Sequence, residues 1–263
     1  MKKICLILLF LLICCAGATA FAEEAKTGSL SGKVMVKGDV PMANGVVFIF
    51  NTSSGPVPSP DKYWRVPDEI VKTDAQGRFV ARLANGSYQI GAIQRKSGED
   101  IGPPQEGDMF LPFHGGGAPK TYVVANGSIT DIGTITGAYP FKKTSVKVKD
   151  GITAIEGKVI DSAGKPVEGA FVFAFVTPAM VGKPLFISER TGKDGKYILR
   201  VHQGGDYFLK IRNTYGGGAM KAGEIMGSYG LDKPVAVNAK SGEIIKGIDI
   251  TGARFPGQGP NMK

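Results

Sequence analysis

The sequence predicts an all-β protein: two tandem seven-stranded antiparallel β-sandwiches following a cleaved signal peptide. Three observations carry this. Residues 72–90 (KTDAQGRFVARLANGSYQI) and 190–211 (RTGKDGKYILRVHQGGDYFLKI) say nearly the same thing twice in one chain. Within each copy the apolar residues alternate with a period of two. Glycine is abundant, at 38 residues, proline stands at 16, and long helical patterns are scarce, a composition suited to short strands joined by tight turns.

The N-terminus comes first because it is set aside from the fold. Lys2 and Lys3 precede an apolar run from Ile4 to Cys15, and Ala20-Phe21-Ala22 provides a small-residue cleavage signal. The run is too short to span a bilayer and ends in small residues. Residues 1–22 therefore read as a signal peptide, and the protein as exported: periplasmic, outer-membrane-associated or extracellular, with no transmembrane span after cleavage. All three cysteines (Cys5, Cys14, Cys15) lie in this segment. The mature chain then has no disulfide, no thiol nucleophile and no Cys-ligated metal. The formal charge of +9 falls to +7 once Lys2 and Lys3 are removed. The remaining basic residues are scattered along strands and form no run, as on solvated strand faces, and nucleic acid is not an expected partner.

The repeat fixes the domain plan. SGKVMVKGDVPMANGVVFIF (31–50) aligns with EGKVIDSAGKPVEGAFVFAF (156–175), and GSITDIGTITG (127–137) with GEIIKGIDITG (242–252). Three blocks recur in the same order, about 115 to 125 residues apart, which argues a duplicated domain. The expected division is a first sandwich over 27–137, a linker over 138–151, a second sandwich over 152–252 and a flexible tail over 253–263. In RFVARL, Phe79, Ala81 and Leu83 share one face. In KYILRV, Tyr197, Leu199 and Val201 do the same, as half-buried antiparallel strands require. Each is followed by a short turn and a partner strand, with Tyr88 and Ile90 or Tyr207, Leu209 and Ile211 facing inward. GVVFIF and GAFVFAF are apolar throughout and belong in the middle of a sandwich. Asp74 and Asp194 precede turn glycines and cap their own backbone. Neither is followed by the alternating ligand series of a calcium loop. A closed barrel is the alternative architecture.

Gly157 to Val172 (GKVIDSAGKPVEGAFV) followed by Thr191 to Tyr197 (TGKDGKY) resembles the carboxypeptidase regulatory-like domain, a transthyretin-like, or prealbumin-like, sandwich. The first repeat resembles it more loosely, with Phe79 where the second has Tyr197. The resemblance implies a seven-stranded fold and says little about activity, because such modules are grafted onto many secreted and envelope proteins. It also raises a zinc carboxypeptidase, which has a separate catalytic domain that this chain has no room for. His114 and His202 lack partners at metal-ligand spacing, and no nucleophile, phosphate-loop or dinucleotide motif is present. No catalytic residue, metal or cofactor is expected.

Candidate binding residues lie where the repeats differ, since loops carry function. The insertion SSGPVPSPDKYWRVPDEI (53–70) holds Tyr63, Trp64 and Arg65 between prolines. Two readings are open: an exposed aromatic pair that stacks on a sugar or anchors a protein, or a side chain folded over a sandwich end. The segment 107–122 holds Phe110, Phe113 and His114, either exposed or as a small core over a sheet edge. Tyr215 lies in a glycine-rich loop. The expected role is a non-catalytic binding or scaffold protein of the cell envelope, contacting another envelope protein through end loops or sheet edges. Polysaccharide binding through Tyr63 and Trp64 is the alternative, and a hydrolase with a dispersed site near His114 is a third. Monomer and filament are both compatible with the sequence.

Overall fold

The computed structural model describes residues 27–97, 102–113, 119–142, 151–214, 220–231 and 233–257. The expected signal peptide, His114 and Tyr215 lie outside the described residues, as do 258–263 of the tail. Among the described residues the chain is all-β, with one 3-10 turn (Thr52–Ser54) and no α-helix. No described helix is long and apolar enough to cross a membrane.

The first half runs through β1 (Thr27–Val34), β2 (Val46–Asn51), β3 (Glu69–Lys72), β4 (Arg78–Ala84), β5 (Gly86–Gln94), β6 (Met109–Leu111), β7 (Tyr122–Val124) and β8 (Ile129–Ile135), then β9 (Tyr139–Pro140). One sheet has the order β4-β1-β8; the other has β3-β2-β5-β6-β9, with β7 also on β5. Their inner faces meet in a core of Leu30, Phe79, Ala81 and Leu83 from one layer and Val47, Ile49, Tyr88 and Ile90 from the other. β4 alternates exposed and buried along its length, as the period-two pattern requires.

The second half repeats these pairings with β10 (Thr153–Asp161), β11 (Phe171–Phe175), β12 (Phe186–Ile187), β13 (Lys196–Val201), β14 (Gly205–Arg212), β15 (Ile225–Ser228), β16 (Val237–Ala239), β17 (Ile244–Ile245) and β18 (Ile250–Arg254). β10 pairs antiparallel with β13 and parallel with β17 and β18, as β1 does with β4 and β8. β11 lies between β12 and β14, as β2 lies between β3 and β5. The second half departs from two separate layers. β15 pairs with β18, so its strands form one nine-stranded sheet folded over a single core.

The strand count also exceeds seven per half. The counterpart of β8 is split into β17 and β18, with Gly247 in the left-handed region (φ 78°) between them. In the first half β8 stays continuous, and a register shift opposite β1 falls beside Gly133 (φ 71°). The break brings backbone onto the facing strand. A methyl group on Gly157 would sit 1.9 Å from the Ile248 carbonyl oxygen, and one on Gly32 would sit 3.0 Å from the Gly133 carbonyl oxygen. Glycine at both positions is what lets the two strands approach.

Tyr88 and Tyr207 each donate a hydroxyl hydrogen bond of 2.9 Å to the carbonyl four residues earlier, Ala84 and Gln203, closing equivalent turns. Asp74 Oδ1 accepts the Gln76 and Arg78 amides, and Asp194 Oδ1 the Lys196 amide. These bonds hold both carboxylates below the usual range: the Arg78 amide contributes most for Asp74, and the Lys196 side chain most for Asp194. Both aspartates are therefore turn caps.

Candidate functional site

β2 and β11 are buried on both faces. One face of each lies on its own core. The other face of β2 (Val46, Phe48, Phe50) and that of β11 (Phe171, Phe173, Phe175) belong to two further apolar clusters, both of which Phe141 packs against. The continuous runs in the sequence thus mark a joint between the halves, and the proline-framed insertion fills it.

Tyr63, Trp64 and Arg65 are buried there, at 5%, 7% and 4% exposure. Prolines 56, 58, 60 and 67 deprive the segment of amide donors and favour extended backbone, so it crosses as a strap. The Trp64 carbonyl accepts the Ile187 amide at 3.2 Å, and the Val66 amide donates to the Leu185 carbonyl at 3.0 Å. Arg65 therefore lies opposite Phe186 in an antiparallel bridge, and the strap extends the second half's sheet at its β12 edge. Three residues later the same chain enters β3 and pairs with β2. One continuous stretch, Trp64 to Lys72, thus belongs to both sheets.

Its side chains reach in opposite directions. Tyr63 joins the core of the second half, packing edge-on against Phe186 at 5.9 Å. Its hydroxyl donates to the Val57 carbonyl at 2.9 Å, and burial raises its pKa against the lowering effect of Arg65. Trp64 clusters with Phe171, Phe173, Phe175, Met180 and Ile187. Arg65 turns back to the first half. Its Nη1 donates to the Gly55 carbonyl at 2.7 Å and its Nη2 to the Asn51 carbonyl at 3.2 Å. It also pairs with Asp68 and lies 5.3 Å from the centre of the Phe50 ring. Burial lowers the guanidinium pKa, while Asp68 opposes the shift. From the second half, Arg200 Nη1 donates to the Pro60 carbonyl at 3.0 Å.

Phe110 and Phe113 are buried on the first half's side of the joint. Phe113 packs edge-on against Phe50 at 4.8 Å, and Phe110 against Phe141 at 5.8 Å. The residues beside them are held by a buried ion pair. Asp108 accepts from Arg95, which also donates to the Gly102 and Pro103 carbonyls. That places Gly102 against the ring of Phe171, whose ring also lies 4.1 Å from the Arg190 guanidinium.

The structure thus brings Trp64, Arg65, Phe110 and Phe113 together around one small cavity of about 30 Å³, room for no more than a water. Of the two readings open for this insertion, burial favours side chains folded over a sandwich end: a sugar needs an open aromatic face, and both rings are covered by the second half. Two open spaces flank the strap. One cleft of about 620 Å³ is lined by Lys62, Gln89, Thr153 and His202. A groove of about 690 Å³ lies between β3 and the outer face of β11. The His202 ring lies 5.1 Å from Tyr63; burial, then Lys62, lowers its pKa. Among the described residues no cluster of three or more His, Cys, Asp or Glu could hold a metal.

Neither a family model nor a curated protein matches this chain. Among solved structures, it is similar to the Bacillus anthracis TIE protein at 16% identity and TM-score 0.26, covering 86% of this chain and 34% of that one. A streptococcal ancillary pilin gives 12% and 0.25, over 88% and 63%. BcpA, the major pilin subunit of Bacillus cereus, gives 12% and 0.26, over 88% and 100%. The chain spans about a third of the first and under two thirds of the second.

Proposed function

We propose that this is a non-catalytic, exported scaffold protein of the cell envelope. Its two transthyretin-like modules, over 27–137 and 152–252, are locked by the strap into one body that holds another envelope protein at its sheet edges and end loops. The observation that carries this reading is the shared segment. Trp64–Val66 pairs with the edge of one sheet while Glu69–Lys72 pairs inside the other. A hinge would let each module bind alone. A joint packed with Trp64, Phe171, Phe173 and Phe141 fixes the two surfaces relative to each other. The positively charged N-terminal segment, its apolar run and Ala20-Phe21-Ala22 support export.

The test is affinity capture from envelope extract with the purified protein. Recovery of one defined envelope protein in stoichiometric amount is the expected result. Retention only on polysaccharide fractions, or turnover of an ester, peptide or glycoside substrate, contradicts the reading. Burial of Tyr63 and Trp64 gives the polysaccharide alternative no support.

A further inference from the structure

Two loops of the second half carry the same four-residue pattern. Val181-Gly182-Lys183-Pro184 follows β11, and Leu231-Asp232-Lys233-Pro234 follows β15. Each is an aliphatic residue, a spacer, a lysine and a proline. β11 and β15 both pair antiparallel with β14, one on either side of it. Both strands therefore run off the sheet toward the start of β14, which puts the two loops at one end of this half.

The aliphatic residues of these loops are open to solvent. Val181 is 76% exposed and Leu231 62%, and Val176 and Val235 on the same loops are 60% and 47% exposed. That is more apolar surface than solvated turns need. The backbone holds it out. Met180 has a left-handed backbone (φ 44°) and buries its own side chain in the cluster of Trp64, so the chain turns there and Val181 follows on the outside. Leu231 is itself left-handed (φ 49°), a conformation that costs a residue of this kind free energy. Its loop is tied down nonetheless. The amides of Leu231, Lys233 and Val235 donate to the Ser228, Gly230 and Tyr229 carbonyls at 3.2, 3.1 and 3.2 Å, and the Ser228 hydroxyl donates to the Leu231 carbonyl at 2.9 Å.

The chemistry of the tips selects what they meet. Residues 176–184 and 230–235 contain no Trp, Tyr or Arg, the side chains that anchor protein interfaces. They offer Val and Leu beside exposed Lys183 and Lys233. A lipid surface takes that combination: the aliphatic tip enters the acyl boundary, while the lysine stem runs along it and leaves the ammonium among anionic headgroups. The positive charge of the chain, +9 overall, acts in the same direction. Asp206 stands at the start of β14, its carboxylate accepting from Asn238 at 2.8 Å, and the second pattern contains Asp232. Charge alone therefore does not select the surface, and the aliphatic tips have to enter it.

We infer that this end of the second half docks on an anionic lipid surface, with Val181 and Leu231 in the acyl boundary and Lys183 and Lys233 at the headgroups. The inference goes beyond the scaffold reading and does not rest on it, since the loops meet lipid whether or not a protein is held elsewhere.

Co-sedimentation of the purified protein with vesicles tests the site. Vesicles of phosphatidylcholine mixed with phosphatidylglycerol should retain the protein, and vesicles of phosphatidylcholine alone should bind it about tenfold more weakly. Val181→Ser combined with Leu231→Asn removes the apolar tips without changing the net charge, and asparagine accepts the left-handed backbone. This tip variant should bind mixed vesicles about tenfold more weakly. Lys183→Gln combined with Lys233→Gln should weaken binding by a similar factor and flatten its dependence on salt. Thermal unfolding midpoints of both variants should match the wild type, because the substituted side chains are exposed. No retention of the wild type on mixed vesicles would overturn the inference. So would equal retention of the wild type and the tip variant, which is adsorption by charge alone. An envelope protein captured by the wild type and lost with the tip variant, without vesicle binding, would assign the loops to a protein partner instead. Vesicle binding lost with the tip variant while capture of a partner is unchanged supports the lipid site and leaves the scaffold reading standing separately.

Discussion

The Trp64 carbonyl and the Ile187 amide are 3.2 Å apart, one bond between residues more than a hundred positions apart that ties the first half's insertion to the second half's sheet. Around it the Trp64 ring packs among Phe171, Phe173 and Phe175. Trp64→Ala should therefore cost about 3–5 kcal/mol. It should also split one cooperative unfolding transition into two, because the halves lose their shared packing. Calorimetry checks this; a single transition with an unchanged midpoint would show that the joint contributes nothing.

Arg65 makes the opposite connection, holding the strap to Gly55, Asn51 and Asp68 of its own half. Arg65→Met keeps the stem and removes the donors. About 3 kcal/mol should be lost, as for a broken buried pair. Arg65→Lys should recover little, since an ammonium cannot reach three acceptors with the geometry of the guanidinium fork. Urea denaturation of both variants measures the difference.

His202 makes the joint sensitive to pH. Its folded pKa lies below the ordinary 6.5 because of burial and then Lys62. The neutral ring is thus favoured in the folded protein, and the unfolded chain takes up the proton first as pH falls. Stability should be fully present above about 6.5 and decline as pH drops from there through the lower folded value. The decline should be small, because His202 is only partly covered, and His202→Gln should flatten it. Midpoints of thermal unfolding measured between pH 7.5 and 5.0 provide the check.

The second half depends on a close approach at Gly157, where a methyl group would meet the Ile248 carbonyl oxygen at 1.9 Å. Gly157→Ala should cost about 3 kcal/mol. Tyr197 donates to that same carbonyl at 2.6 Å, so Tyr197→Phe should cost about 1 kcal/mol. Phe79, the equivalent residue of the first half, already lacks the hydroxyl. Unfolding free energies of the two variants test both values.

The strands were legible because their signal is local. Phe79, Ala81 and Leu83 alternate with Arg78, Val80 and Arg82, and burial follows that alternation along β4. The strap was not legible. Three residues of pairing between Pro60 and Pro67 leave no period to read, and Trp64-Arg65-Val66 looks like any loop. A signal did exist elsewhere. GVVFIF and GAFVFAF are apolar on both faces, so each needs a second cover beyond its own core. The insertion and the segment around Phe110 and Phe113 hold the apolar side chains to provide it. The link between β15 and β18 left no such trace, because it depends on how far β18 extends beyond β10.

Native-state hydrogen exchange at Val66 and Ile187 is the most direct test of the shared strap. Both amides should exchange as slowly as those of Leu199 and Leu209 in the second core, and Trp64→Ala should accelerate them by orders of magnitude. Exchange at these two amides in the unmodified protein at the rate of an open loop would contradict the account.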